Sequence, residues 1–482
     1  MSYKKSIFNI SPAVEVAYDL HLTAALMRAC VACDRKESSL LSDAKAFRAK
    51  LTQDSDEVWK DNVSLRSLME DKSLRAPSTS KQRSGTSEEL SAARHVPISA
   101  NMALVTDFVR NTTNLWAVGE RMALMVRRGA PSRDDYEKLM EQIVADDDEC
   151  WSGFVNFKIK ELVSRSDFSP EIKQRLSVGE RSPLNLETNV AREDADLRSI
   201  LYPGAPELYA SISALVELKR GLLSSHFVAL LDSLLRLHAF SEVRRLSLAN
   251  AQLLEMALVA DEQTITEDQI REKLSVGSIH FALSSEADLN EEIENLANLL
   301  ERARLFFGAF SEDYDIAAKV SSVAAISRWF AAARAGDAAF TEVKNKFVSD
   351  FQSGSHASQI KGSAALKNFK EFMKYVVQQR VVDTGLDGQF DQGYWAQKTG
   401  PHKSAPWKMR ISPVGSLLFA GLACRGLPSC TFSEIAERML KAGLHVSTSG
   451  RQQLYNNLKS LGLTIDSPDG IGGFVVNNPF RT

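Results

Sequence analysis

Apolar positions recur along most of the 482-residue chain at every third or fourth place, the spacing of a helix face and not the alternation of a strand. Near the start, Val14, Tyr18, Leu22, Ala25 and Leu26 predict a helix over about 12–33, and similar patterns follow over 40–51 and 55–68. A helix over 98–128 stops at Gly129 with Pro131 behind it, the usual punctuation of a C-terminus. Ser132 then offers a cap, with Asp135 three residues on, for a helix running past Trp151 and Phe157 to about 163.

The most apolar long stretch is 206–260, where Leu222, Leu223, Phe227, Leu230, Leu231, Leu234 and Leu235 surround the helix rather than line one side. A helix apolar nearly all round belongs at the centre of the body, and Gly221 is expected to split the stretch in two. His226 and His238 fall within it and read as core residues with satisfied rings. Further on, Leu289, Ile293, Leu296, Leu300, Ala303 and Phe307 form a heptad seam, which is shorter than a coiled coil needs. Packing against a neighbouring helix is therefore the first reading and a partner-helix interface the second.

Three stretches interrupt the helical pattern. Residues 72–87 are rich in Ser, Thr, Pro and Gly and carry Lys72, Arg75, Lys81 and Arg83 without an acid, which reads as a solvated linker before a phosphate-gripping arm. Residues 353–362 form a Gly/Ser hinge, and 383–407 an irregular connection. The expected organisation is an N-terminal helical unit (1–72), a basic linker (73–97), a central helical body (98–382), an irregular basic connection (383–410) and a C-terminal unit (411–482).

That last unit has the densest local signals. Ser412-Pro413 opens a helix that Pro428 ends, and Thr431 with Glu434 forms a capping box for a second helix ending at Gly443. Ser449 opens a third, with Leu454, Leu458 and Leu461 facing inward and Arg451, Gln452, Tyr455, Asn456 and Lys459 outward. Residues 463–465 and 473–476 then read as two short strands around a Gly-rich hairpin. Three helices followed by a hairpin resemble the winged-helix superfamily over about seventy residues. The predicted fold class is accordingly mainly α, a multi-helix body with a C-terminal winged-helix domain.

The resemblance implies two uses. In DNA-binding members the third helix enters the major groove, which nominates Arg451, Gln452, Tyr455, Asn456 and Lys459 as DNA-binding residues. The wing departs from that pattern, because its tip carries Asp466 and Asp469 and no cation. Other winged helices are protein-docking modules, including the terminal domains of kleisin subunits that bind chromosome-organising ATPases.

Charge shifts the balance slightly. The chain carries 58 Lys and Arg against 61 Asp and Glu, a net charge of -3, so any nucleic-acid contact must come from a local patch. Residues 392–433 supply one: they contain no acid, but do contain Lys398, Lys403, Lys408, Arg410 and Arg425, with His402, Trp395 and Trp407 interleaved. Lys398, Lys403, Lys408 and Arg410 therefore join the candidate DNA-binding set.

Chemistry is harder to find. No phosphate loop, dinucleotide fingerprint, zinc-protease helix or nucleophile elbow is present. Cys30 and Cys33 resemble half a zinc site but lie in a helical pattern, and Cys424 and Cys430 read as buried thiols. The acidic run 146–149 points around a helix, and Asp383, Asp387 and Asp391 miss the spacing of a calcium loop. We expect no catalytic residue, cofactor or metal. Five cysteines without a disulfide framework, no signal peptide and no apolar run long enough to span a bilayer lead to the expectation of a cytoplasmic protein without a membrane contact.

The first functional reading is a non-enzymatic, DNA-associated scaffold or accessory subunit of a multi-protein complex. The alternative is a kleisin-like docking adaptor whose C-terminal unit binds an ATPase, and a transcriptional regulator comes third. Helical surfaces also allow a homo-oligomer.

Overall fold

The computed structural model describes residues 21–31, 118–144, 183–190, 194–222, 224–276, 281–282, 289–310, 321–356, 364–378, 395–398, 406–465 and 474–481. The expected helices over 40–51 and 55–68, the basic segment 72–87, the acidic run 146–149, Cys33, Cys150, Asp383, Asp387, Asp391, Lys403, Asp466 and Asp469 lie outside these residues.

The described chain is mainly helical. The first helices are α1 (His21–Ala29), α2 (Val118–Gly129), α3 (Arg133–Val144), α4 (Ala195–Leu201) and α5 (Ala205–Leu218). Ser132 caps α3 as expected, accepting from the Asp135 backbone at 3.1 Å while its hydroxyl donates to Asp135 Oδ2 at 2.7 Å. After a 3-10 turn at Lys219–Gly221 the chain enters α6 (Ser224–Val259), a helix of 36 residues. At 1.5 Å per residue it spans about 54 Å.

Helix α6 is the axis of the molecule. Its residues 230–240 are all buried, and α1, α4, α5, α7 (Glu267–Val276), α8 (Leu289–Phe307), α11 (Ala364–Gln378) and α12 (Pro413–Cys424) pack around it. The apolar circumference read from the sequence explains this position. One set of polar groups inside it is matched by neighbours. Arg236 Nε donates to Asp232 at 2.6 Å, Thr23 Oγ1 donates to the other Asp232 oxygen at 3.0 Å, and Arg236 Nη1 reaches the Tyr375 carbonyl at 3.2 Å near the end of α11. A guanidinium at a helix C-terminus also meets the negative end of that helix's dipole.

The two histidines depart from expectation. His226, in the first turn of α6, is exposed. His238 is buried, but its Nε2 finds no hydrogen-bond partner among the described residues.

The heptad seam is filled from within the chain: Leu289, Ile293, Leu296, Leu300, Ala303 and Phe307 are all buried on α8, which packs against α6 and α11. Beyond it, α9 (Val323–Arg334) and α10 (Ala338–Gln352) close an aromatic cluster, with Phe306 edge-on to Phe347 at 5.3 Å and Phe310 edge-on to Trp329 at 5.7 Å. The buried thiols also agree with expectation. Cys30 donates to Met140 Sδ at 3.9 Å and burial pushes its thiol up, while Cys424 and Cys430 are free and buried.

Strands are short. β1 (Phe281–Ala282) lies between α7 and α8, and β2 (Ala396–Lys398) pairs antiparallel with β3 (Trp407–Met409). The connection read as irregular therefore contains an ordered hairpin. Trp395 beside it is 1 % exposed, its indole donating to the Ser233 carbonyl of α6 at 2.8 Å. Gly415 lets the ring approach closely: a Cβ there would stand 3.0 Å from the Trp395 ring, which would have to give by a few tenths of an ångström.

The C-terminal elements run α12, β4 (Ser429–Thr431), α13 (Phe432–Lys441), β5 (Leu444–His445), α14 (Thr448–Ser460), β6 (Thr464–Ile465) and β7 (Val475–Asn477). β7 lies between β4 and β6 in an antiparallel sheet, Cys430 opposite Val476 and Thr464 opposite the same residue. β5 instead pairs parallel with β1, Phe281 opposite Leu444.

Candidate nucleic-acid interface

Helix α14 is held by its ends and its inner side. Ser447, not Ser449, is the cap, accepting from the Gly450 backbone at 3.2 Å, so the helix starts two residues earlier than its sequence suggested. Leu454 and Leu458 are buried as expected, but Leu461 is 37 % exposed, because the helix ends at Ser460 and Leu461 is its C-cap. The inner side is completed by two amides the sequence reading passed over. Asn457 Nδ2 donates to the Ile411 carbonyl at 2.9 Å and to Ser416 Oγ at 3.1 Å, and Gln453 Nε2 reaches the Ile411 carbonyl at 3.4 Å. Their one signal in the sequence was the four-residue spacing on a side next to the leucines.

Arg451, Gln452, Asn456 and Lys459 are exposed, and Tyr455 is half-buried with its ring edge-on to Phe474 at 4.6 Å. Gln452 Nε2 donates to Asn456 Oδ1 at 3.1 Å, one turn apart, which pre-orients both amides. The Lys459 ammonium lies 5.5 Å from the centre of the Tyr455 ring and 3.4 Å from its hydroxyl. An exposed cation–π contact of this kind contributes about 0.5–1 kcal/mol, enough to bias the side chain without fixing it. Arginine, asparagine and glutamine are the side chains whose paired donors and acceptors match base edges, and lysine is a point charge suited to phosphate.

The rest of the candidate set is divided. Arg410 is half-buried and precedes Ile411, whose carbonyl accepts from Asn457 and Gln453 of α14. Lys408 is half-buried on β3 between buried Trp407 and Met409. Lys398 lies on β2 opposite Trp407.

Acids are sparse in the chain around α14. Residues 438–465 contain no Asp or Glu. Arg438, on α13, is not available to a ligand, since its Nη1 lies 2.7 Å from Glu207 Oε1 and both are buried. Lys441 pairs with Glu437 at 2.6 Å in the open. Capping geometry sets the other acid nearby: Glu434 accepts from the Thr431 backbone at 2.7 Å, and this bond holds its carboxyl below the usual range.

The body grips this unit through other elements than α14. α12 packs on α5 and α6, β5 pairs with β1, and the Glu207–Arg438 bridge joins α5 to α13. Among the described residues no group of His, Cys, Asp and Glu is arranged to hold a metal ion, and no helix is long and apolar enough to cross a membrane. Compared with known proteins, the chain matches no family model and no curated sequence.

Proposed function

We propose that the chain is a non-enzymatic, DNA-associated scaffold subunit, and that residues 411–480 are a winged helix meeting duplex DNA through the outer face of α14. The order helix, strand, helix, strand, helix, strand, strand and a sheet with β7 between β4 and β6 support the winged-helix assignment, although β5 pairs with β1 of the body instead. One observation carries the DNA reading: Arg451, Gln452, Asn456 and Lys459 stand exposed on an acid-free segment, while other elements of the same unit are committed to the body. Arg451 and the paired amides take base edges in this reading, and Lys459 takes a phosphate.

The test is anisotropy of a labelled short duplex titrated with the full chain over a range of salt. Arg451→Ala together with Lys459→Ala is expected to weaken binding by about tenfold or more and to reduce the salt slope by about 1–2. Unchanged affinity and slope would remove α14 from the interface.

A protein-docking use has its own support. Leu461 and Ile465, at the end of α14 and on β6, are 37 % and 50 % exposed, the kind of surface a kleisin-like contact with an ATPase partner would cover. In that case the double variant leaves DNA affinity at its non-specific level, and Leu461→Asp with Ile465→Asp abolishes co-purification of an ATPase with the full chain.

A further inference from the structure

Four polar residues of α6, His238, Ser241, Glu242 and Arg245, fall at positions i, i+3, i+4 and i+7 and so share one face. That face borders a cleft of about 300 Å³ between the body and the C-terminal unit. Leu201–Ala205 and Met125 form its body side, and residues 440–443, at the end of α13, form the other. The two sides approach closely. Gly443 has φ +88°, and a Cβ there would stand 3.3 Å from Ser241 Oγ.

The hydrogen-bonding capacity of this face is not met within the described chain. Arg245 is 6 % exposed, and its Nη2 donates to the Ile200 carbonyl and, at 3.0 Å, to that of Leu274. Its Nε and Nη1, the Ser241 hydroxyl and His238 Nε2 have no partner among the described residues. Leaving such groups unpaired is costly, and three of the four are donors that call for an acceptor.

Charge selects the acceptor. Glu242 is countered twice, by Arg121 at 3.9 Å and Arg128 at 3.8 Å, so Arg245 is a further positive charge in the same wall. Burial and neighbouring Arg244 lower Arg245 only to about 10, and it remains a cation at neutral pH. Burial holds His238 near 3, so its ring is neutral.

We propose that this cleft binds a small oxyanion, a phosphate or carboxylate group, through Arg245, Ser241 and His238. The apolar lining from Met125, Leu201, Leu440 and Ala442 then faces a short apolar part of the same ligand. Because both the body and the C-terminal unit line the cleft, the bound anion clamps one to the other.

The test is thermal denaturation of the full chain with inorganic phosphate or acetate, against chloride at matched ionic strength. A saturable stabilisation by one oxyanion beyond chloride is expected, and the anion that gives it identifies the group. Arg245→Ala also strips two helix-end carbonyls of their donor, so Ser241→Ala is the decisive variant. It is expected to keep the fold and lose about tenfold in apparent affinity. Equal stabilisation of the wild type and Ser241→Ala, or no oxyanion effect beyond chloride, overturns the site and leaves a cleft filled by water. The Arg451→Ala, Lys459→Ala protein separates this inference from the DNA reading: its phosphate response is expected to be unchanged, and loss of the response there instead places the ion on α14 and also overturns the cleft.

Discussion

His238 shows how one residue couples the interior to pH. Burial lowers it from an ordinary 6.5 to about 3, so the folded chain keeps a neutral ring where the unfolded chain takes up a proton. The sign follows directly. Below pH 6.5 the unfolded state binds more protons, and stability falls by about 1.4 kcal/mol for each further pH unit until the folded pKa is reached. His238→Gln is expected to lose this dependence. The measurement is urea denaturation at several pH values between neutrality and pH 4, read as the difference between wild type and variant, and parallel curves would rule the coupling out. Residue-level reading of the sequence succeeded where one side chain meets its own helix, as with Ser132, Thr431 and Glu434. It misjudged His226 and His238, because whether a ring on an apolar helix is covered or matched depends on what packs against it: His226 is exposed, and His238 is buried with its Nε2 unmatched among the described residues. Leu461 failed for a different reason: it holds the right spacing, but the helix stops one residue before it.

At the scale of elements, periodicity was the reliable guide. The apolar circumference of α6, the break at Gly221 and the seam on α8 are all local properties of the sequence, and each describes a helix that exists. What periodicity left open was whether the α8 seam faces a neighbour in the same chain, and burial against α6 and α11 answers that. Leu300→Ala, at a site with no exposure, is expected to cost about 2–5 kcal/mol in denaturant titration and to leave the sedimentation coefficient unchanged. A change of mass with little loss of stability would instead make the seam intermolecular. The β2–β3 hairpin was missed because its strands are three residues long, too short for alternation to stand out, and because Gly and Pro dominate the composition around them. Ser447 was passed over for Ser449 since two capping residues stand two apart, and the bond from the Gly450 backbone to Ser447 Oγ decides between them.

The whole molecule depends on contacts that no local pattern encodes. Glu207 and Arg438 are 231 residues apart, and nothing in either neighbourhood announces the other. Arg438→Ala leaves the Glu207 carboxylate buried with only the Ser211 hydroxyl at 3.2 Å, and is expected to destabilise by about 3–5 kcal/mol. Hydrogen exchange locates the loss: amides of α13 and β5 are expected to exchange faster while those of α8 keep their protection. Uniform acceleration would mean that the bridge supports the entire fold. The same seam has a mechanical meaning. A terminal unit on a loose tether swivels freely and passes little force to what lies behind it. Here the C-terminal unit is bolted to a rod of 36 residues, so a pull or twist on that unit is delivered along α6 as along a lever, and whatever grips the far end of that rod would feel it.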